Sequence, residues 1–247
     1  MVRWFSQLRY LWRRHGPIGF ARLAAYNVAY RVRNRRQSTG IPGHIDQFDD
    51  KYGTDTSGIR EIGSLDIVTN AAAPSAVRYQ PSGGDEVRAA LARLKIDYRE
   101  YSLIDFGSGK GRVLLVAAEF AFKEVIGVEF SRELHESASR NIERLPPEAV
   151  RAGTVRAVHD DAASFKLPNN HLVCYFYNPF GPPVISRVAQ RLLAHHQQHG
   201  YHVIVIYADP QYRAAFEATG MFAILDEAAH VLTLATPNCA ALQVHHW

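Results

Sequence analysis

The chain has 247 residues, of which 47% are hydrophobic and 21% are charged, a balance typical of a globular protein and too apolar for a disordered chain. This length suffices for one α/β domain of ordinary size with an appendage. The two cysteines, Cys174 and Cys239, are too few for a disulfide framework and lack the spacing of a metal site, so we expect buried thiols, no bound metal and a cytoplasmic location.

The net charge of +4 conceals a basic leader, residues 1–36, with nine arginines and no acidic residue. The rest of the chain has 19 basic and 24 acidic residues. Trp4, Phe5 and Trp12 lie between the arginines at helical spacing, which predicts an amphipathic helix, and a second helical run follows Gly16-Pro17. No apolar stretch approaches the roughly 20 residues of a membrane span, and no secretory signal is recognisable.

Several interpretations of the leader are open. Its helices would pack on the following domain, dock on a membrane surface, or bind an acidic partner or nucleic acid. Its composition also fits an organelle-targeting presequence. If the leader docks on lipid, the protein would be peripheral at the membrane surface.

Residues 37–74 are expected to form a linker and a possible lid. Residues 37–45 are rich in turn-forming residues. Residues 48–58, Phe-Asp-Asp-Lys-Tyr-Gly-Thr-Asp-Thr-Ser-Gly, are dense in polar groups and glycine. This segment is either a lid with Tyr52 or Asp55 facing a substrate, or an ordered connector built on Asx turns.

Residues 75–247 alternate between strand and helix patterns and predict one α/β domain. Strands are expected at residues 102–106, 124–129, 155–159, 172–177 and 202–207, and near 222–226 and 240–246. Helices are expected at residues 112–120, 131–145, 182–199 and 211–219, with Ser131 as an N-cap and Gly200 and Gly220 at helix ends. The alternation predicts a Rossmann-like, mostly parallel seven-stranded sheet with helices on both faces.

A glycine loop, Asp-Phe-Gly-Ser-Gly-Lys-Gly-Arg at residues 105–112, follows the first predicted strand. Gly107, Gly109 and Gly111 let the backbone turn tightly and approach a ligand. The G-x-G-x-G spacing differs from a dinucleotide fingerprint, and Lys110 lacks the following hydroxyl residue of a Walker A loop. Asp105 disfavours a pyrophosphate but suits the amino group of a methionine moiety, whose carboxylate suits the helix amides after the loop.

Two further acids end the next two predicted strands. Glu129, 24 residues after Asp105, can accept hydrogen bonds from both hydroxyls of a ribose, or alternatively caps the helix near Ser131. Asp161 can accept a hydrogen bond from an adenine amino group, or is a solvated acid at a strand end. Because the carboxyl ends of parallel strands meet at one edge of a sheet, these acids predict one binding site.

These motifs resemble those of the class I S-adenosylmethionine-dependent methyltransferases over about residues 75–247. The resemblance implies S-adenosylmethionine as cofactor, bound by Asp105, Gly107, Ser108, Gly109, Gly111, Glu129 and Asp161. Asn178-Pro179-Phe180 is similar to the motif of amino-methylating members, where the Asn accepts hydrogen bonds from a substrate NH₂ and the aromatic ring packs over it. It implies that Asn178 and Phe180 are catalytic, with Asn178 also near the cofactor. A structural turn fixed by Pro179 is the alternative.

With Tyr79 and Pro81 ahead of the first strand, the combination most resembles the SET-independent histone-lysine methyltransferases and their bacterial relatives. In those enzymes a Tyr/Pro-containing segment folds over the cofactor, which implies cofactor contacts for Tyr79 and Pro81. The acceptor would be an amine of a protein lysine or of a small molecule. No histone-binding element and no specific nucleic-acid recognition are recognisable. The alternative function is a non-catalytic cofactor-binding or membrane-surface adaptor.

Overall fold

The computed structural model describes residues 47–58, 81–228 and 230–239. The described strands are β1 Tyr101–Phe106, β2 Glu124–Glu129, β3 Val155–His159, β4 His171–Tyr177, β5 Val203–Ala208, β6 Ala223–Ala228 and β7 Val231–Ala235. The described helices are α1 Gln47–Tyr52, α2 Gly84–Ala92, α3 Arg112–Ala117, α4 Arg132–Glu143, α5 Pro182–His199 and α6 Ala214–Glu217. None of the helices in this part of the chain is long and apolar enough to cross a membrane.

Some predicted features lie outside the described residues. They are the leader at residues 1–36, the turn-rich linker at residues 37–45, Tyr79 and the expected strand at residues 240–246.

The seven described strands form one mixed sheet in the order β3-β2-β1-β4-β5-β7-β6. The pairings from β3 to β5 are parallel, whereas β7 runs antiparallel to both β5 and β6. The chain continues from β1 to β2 and β3 on one side and then returns to β4 on the other. Strand order therefore reverses between β1 and β4, and in open α/β sheets ligands bind beyond the carboxyl ends of the strands at such a reversal.

Helices cover both faces of the sheet because its central strands are apolar on both faces. In β1, Leu103 belongs to a buried cluster with Leu91 of α2 and Val113 of α3. The next residue, Ile104, belongs to a separate cluster with Ile185 of α5. Successive side chains of a strand point to opposite faces, so a continuous apolar strand needs cover on both. The predicted α/β sheet with helices on both faces is confirmed, but β7 makes it mixed, and this seventh strand is not the one expected at residues 240–246.

The predicted and observed elements differ most after β5. The β7 strand was not predicted, because the two residues between it and β6, Ala229 and His230, lack the Gly, Pro, Asn or Asp of a typical turn. The helix expected at residues 211–219 shortens to Ala214–Glu217, and the one expected at residues 112–120 ends at Ala117. Beyond each helix end the backbone tightens to i→i+3 bonds, from the amides of Glu119, Phe120 and Thr219.

Two predicted helix ends are confirmed. The amide of Leu134 donates to Oγ of Ser131 at 3.4 Å, and α4 begins directly after this serine. Gly200 follows α5 with a φ of +70°, the left-handed conformation in which helices commonly end.

Candidate functional site

The glycine loop lies at the carboxyl end of β1 in a conformation that favours glycine. Gly107, Gly109 and Gly111 have φ angles of +83°, +54° and +88°. A Cβ added to Gly107 would lie 2.3 Å from Cβ of Pro179, and one added to Gly111 would lie 3.1 Å from Cβ of Ala138. Gly107 therefore lets the loop approach the chain after β4, across the point where strand order reverses.

Backbone hydrogen bonds fold this loop onto β2. The amides of Gly107 and Ser108 donate to the carbonyl oxygen of Val128 at 2.8 and 3.2 Å. The amide of Gly109 donates to Oε2 of Glu129 at 2.9 Å. The loop and the acid at the end of β2, predicted separately, thus belong to one hydrogen-bonded unit.

Ser108 is buried inside this unit, and its hydroxyl is directed toward β2. A Cβ added to Gly127 would lie only 2.6 Å from Oγ of Ser108, so the glycine in β2 makes room for the serine. Oγ of Ser108 is one of the buried side-chain atoms without a hydrogen-bond partner in the described part of the chain. Its predicted contact with a cofactor stays a prediction.

The carboxylate of Glu129 accepts a backbone hydrogen bond at each oxygen. In addition to the bond from Gly109, the amide of Ser131 donates to Oε1 at 2.7 Å. Burial raises the pKa of Glu129, against the opposing effect of these amides. The contact with Ser131 is the one that the capping interpretation predicts. Since a carboxylate oxygen can accept more than one hydrogen bond, both oxygens keep acceptor capacity for a ligand.

Asp105 lies on the strand next to Glu129 and is only 3% exposed. Its register partner in β2 is Gly127, two residues before Glu129. Burial and the charge of Glu129 hold the pKa of Asp105 well above its usual range. Two carboxyl groups are thus buried at adjacent strand ends, an arrangement that a cationic ligand would stabilise.

Asp161 lies two residues beyond β3, half-buried, in a local turn. Its Oδ1 accepts from the amide of Ala163 at 2.8 Å, and its carbonyl oxygen accepts from the amides of Ser164 and Phe165 at 2.9 and 2.8 Å. The side chain therefore stabilises an Asx turn at the same sheet edge as Glu129. Its predicted contact with adenine stays a prediction.

Asn178 directly follows β4 and has a φ of +41°. Its side chain bonds to the segment that follows β5. Nδ2 donates to the carbonyl oxygen of Asp209 at 2.6 Å, and Oδ1 accepts from the amide of Gln211 at 3.4 Å. Asp209 also has a positive φ, +48°. Asn and Asp adopt this left-handed conformation more readily than other non-glycine residues, and these two meet at adjacent strand ends.

Sequence reasoning did not single out Asp209 or Gln211. The available signal was that Asp209-Pro210 follows β5 just as Asn178-Pro179 follows β4. Phe180, the other predicted catalytic residue, is 8% exposed and packs edge-on against Phe176 at 6.4 Å. Its ring belongs to the hydrophobic core on the α5 face, so its predicted packing over an acceptor stays a prediction.

The segment at residues 47–58, here called the strap, binds the loop through the two cations of the glycine motif. Nζ of Lys110 lies 2.7 Å from Oδ1 of Asp55. Nε of Arg112 donates to Oγ1 of Thr56 at 2.8 Å, and its Nη2 lies 3.8 Å from Oδ2 of Asp49. These contacts support the connector interpretation, because polar turns of the strap are the partners of the loop.

The lid interpretation placed Tyr52 or Asp55 against an acceptor, and for Tyr52 this is wrong. The hydroxyl of Tyr52 donates to Glu119, two residues after α3, and accepts from Nη2 of Arg88 at 3.3 Å. Tyr52 is 8% exposed and belongs to a small apolar cluster. Asp55 binds Lys110, as described above.

Pro81 is half-buried and is the first residue of the described range that leads into α2. The following residue, Ser82, accepts a hydrogen bond at Oγ from the hydroxyl of Tyr175 in β4 at 3.2 Å, and its carbonyl oxygen lies 3.5 Å from Nη1 of Arg112. This segment is therefore anchored beside the site. The cofactor contact predicted for Pro81 stays a prediction.

The charges around the loop are segregated. Asp105 and Glu129 are buried beside it, at 3% and 8% exposure. The cationic groups of Lys110 and Arg112 are also buried, but they bind the strap. A phosphate at the loop would therefore meet two buried carboxyl groups, with both loop cations already engaged elsewhere. The site can instead hold a ligand that carries positive charge.

Comparisons with known proteins show similarity at the level of solved structures. No protein-family model matches the chain, and no curated protein matches it. The ribosomal protein L11 methylase of Lactobacillus delbrueckii subsp. bulgaricus is 15% identical, with a TM-score of 0.46 over 64% of this chain and 79% of its own. An RNA methyltransferase of Salinibacter ruber, in complex with S-adenosyl-L-homocysteine, is 18% identical, with a TM-score of 0.42 over 64% of this chain and 92% of its own.

A third solved structure is the magnesium protoporphyrin IX methyltransferase of Synechocystis PCC 6803 with bound SAM. It is 15% identical, with a TM-score of 0.42 over 62% of this chain and 77% of its own. The three proteins have different substrates by description. At these identities and TM-scores, the similarity assigns neither a family nor a substrate to this chain.

Proposed function

We propose that this protein transfers a methyl group from S-adenosylmethionine to an amine nitrogen. The observation that carries the proposal is the pair of buried carboxyl groups, Asp105 and Glu129, on either side of a glycine loop whose cations bind the strap. S-adenosylmethionine carries an ammonium and a sulfonium, so it brings positive charge to this site. Asp105 would gain a cationic partner and Glu129 would gain hydroxyl donors, whereas a dinucleotide would bring more negative charge.

The proposed arrangement follows the order of the strands. Asp105 at β1 binds the ammonium, Glu129 at β2 binds the ribose hydroxyls, and Asp161 after β3 lies on the adenine side. The loop between Asp105 and Gly111 faces the methionine moiety, with Pro81 and Tyr79 as further contacts. The hydrogen bond between Gly109 and Glu129 supports this placement, because it joins the methionine and ribose subsites directly.

The proposed acceptor site is at Asn178, where the chain after β4 meets the loop. When bound, S-adenosylmethionine would supply an electrophilic methyl group to the lone pair of a neutral acceptor amine. The sulfur would keep the electron pair of the broken C–S bond as S-adenosylhomocysteine, and the methylated nitrogen would lose a proton to solvent. Oδ1 of Asn178 would accept from the acceptor N–H and aim that lone pair. Among the described residues, Oδ1 accepts only the 3.4 Å hydrogen bond from the amide of Gln211, so this oxygen can accept a second one. Orientation and electrostatics then supply the catalysis.

We further propose that the acceptor is a protein lysine or a small-molecule amine, as in the SET-independent histone-lysine methyltransferases and their relatives. Residues 75–247 would form the methyltransferase domain, residues 37–74 its linker and strap, and residues 1–36 a basic extension. The extension would attach the protein to a membrane surface or an acidic partner.

Calorimetry with S-adenosylhomocysteine, followed by turnover, tests the proposal. We expect saturable binding by the full chain and transfer of labelled methyl from S-adenosylmethionine into a fractionated cell extract, in the protein or small-amine fraction. Absence of binding even at millimolar S-adenosylhomocysteine would refute the assignment of S-adenosylmethionine as the cofactor. Binding without any transfer would favour the non-catalytic adaptor, and label in nucleic acid would contradict the proposed acceptor.

A further inference from the structure

The strap and the glycine loop meet at Lys110. Its Nζ donates to Oδ1 of Asp55 at 2.7 Å and to the carbonyl oxygen of Ser57 at 2.9 Å. The side chain of Lys110 is 7% exposed, whereas that of Asp55 is 69% exposed. Because a buried ammonium is costly without partners, Lys110 depends on the strap, and the loop that carries it is held there.

Asn141 of α4 completes this junction. Its Nδ2 donates to the carbonyl oxygens of Lys110 at 2.9 Å and of Asp55 at 3.0 Å, and its Oδ1 accepts from the amide of Asp55 at 3.0 Å. Asn141 is 1% exposed. One buried amide group therefore fixes the backbone of the loop and of the strap at the same point.

The rest of the strap is ordered around Asp49. This carboxylate accepts hydrogen bonds from the amides of Thr56 and Ser57 at 2.8 and 2.9 Å and from the hydroxyls of Thr54, Thr56 and Ser57. Burial acts to raise the pKa of Asp49, but the hydrogen bonds outweigh it, so its pKa lies below its usual value. The strap is thus hydrogen-bonded internally where it meets the loop.

We infer that the Asp55–Lys110–Asn141 junction is a positioning element for the methionine half of the cofactor, an inference that rests on the proposed function. Lys110 lies between Gly109 and Gly111, in a loop with three glycines at positive φ. Such a loop has large conformational freedom, and fixing it before binding lowers the entropy cost of binding. The junction contacts the loop, whereas the proposed adenosine subsite is at Glu129 and Asp161.

Two ligands that differ only in the methionine half test this inference. S-adenosylhomocysteine carries the amino-acid moiety, and 5′-methylthioadenosine lacks it. For Lys110→Met, which keeps the aliphatic length, we expect roughly a tenfold loss of affinity for S-adenosylhomocysteine, the scale of a lost charge-assisted hydrogen bond. Affinity for 5′-methylthioadenosine should fall less, by about twofold, because the proposed adenosine subsite meets the loop at the amide of Gly109 and not at the side chain of Lys110.

Asp55→Ala separates positioning from simple electrostatics. Removing this anion would strengthen the binding of a ligand carboxylate by Coulomb's law alone, whereas loss of the anchor weakens it. We expect a loss of about threefold for S-adenosylhomocysteine, because the carboxylate is largely exposed. Its exposure also means that the substitution leaves no cavity in the core. A gain in affinity would overturn the inference.

Tyr52→Phe is the matched control, because it removes strap contacts with Glu119 and Arg88 without touching the loop. It should lower thermal stability and leave the affinity ratio of the two ligands unchanged. Equal losses of both ligands in Lys110→Met, or the same ratio change in Tyr52→Phe, would overturn the inference. If wild type binds neither ligand, the proposed function itself fails.

Discussion

The amide of Gly109 donates a 2.9 Å hydrogen bond to Oε2 of Glu129, which joins the glycine loop to the end of β2. The other oxygen of the same carboxylate accepts from the amide of Ser131 at the start of α4. Glu129 is thus a structural partner of the loop as well as the proposed ligand of the ribose. Its substitution should affect the loop and the ribose subsite together.

For Glu129→Ala we expect cofactor affinity to fall roughly 10- to 150-fold, since hydrogen bonds to a charged group contribute about 1.5–3 kcal/mol. Thermal stability should fall as well, because the buried amides of Gly109 and Ser131 lose their acceptor. Calorimetry and a melting curve measure the two effects. Glu124→Gln, at the opposite end of β2, is the control and should leave the affinity unchanged. An unchanged affinity in a folded Glu129→Ala protein would remove Glu129 from the site.

Asp105→Asn should stabilise the ligand-free protein against unfolding and weaken the binding of the cofactor. The pKa of Asp105 is raised well above its usual range, so the folded state binds a proton that the unfolded state has lost. Stability of the wild type should therefore fall as the pH rises from the ordinary carboxyl pKa through the raised one. The neutral variant lacks this loss. At pH values above that range, it should therefore melt at a higher temperature than the wild type.

Melting temperatures of both proteins across a pH series measure this difference in stability, and calorimetry measures the affinity for S-adenosylhomocysteine. Affinity for S-adenosylhomocysteine should drop at least about tenfold in Asp105→Asn, because the ammonium loses its carboxylate partner. Identical melting curves at every pH would mean that Asp105 is not held protonated.

Asn178→Ala should reduce kcat about 100-fold and leave cofactor affinity close to wild type, because its proposed partner is the acceptor nitrogen. Asn178→Gly is the matched variant, since glycine accepts the φ of +41° that strains alanine. The glycine variant should be the more stable of the two and equally slow. If cofactor affinity collapses while turnover at saturation survives, Asn178 belongs to the cofactor site instead.

The central strands and the ligand loop were predictable because their signals are local. Apolar runs mark β1, β2, β4 and β5, and the glycine spacing marks the loop. The partners of Lys110 and Arg112 were not predictable, since they lie more than 50 residues earlier, in the strap. The polar density of the strap was visible in the sequence, but nothing local told which cations it would bind. The bond between Asn178 and Asp209 is similarly non-local.

The positive charge of the leader predicts binding to anionic membranes. Residues 1–36 combine nine arginines and no acid with Trp4, Phe5 and Trp12, a composition suited to an anionic lipid surface. Each arginine near such a surface contributes about 1 kcal/mol, and this attraction weakens as salt screens it. We therefore expect the full chain to sediment with phosphatidylserine vesicles at low ionic strength, and less at physiological ionic strength.

Deletion of residues 1–36 should abolish this attachment and leave S-adenosylhomocysteine affinity unchanged, because the proposed site lies entirely in the later part of the chain. Replacing the nine arginines by glutamine in the full chain separates charge from apolar contact, and should also abolish vesicle binding without changing the melting temperature. The packing interpretation makes the opposite prediction. In that case the intact protein ignores vesicles of any composition, and the truncated protein melts at a lower temperature and aggregates because apolar surface is exposed.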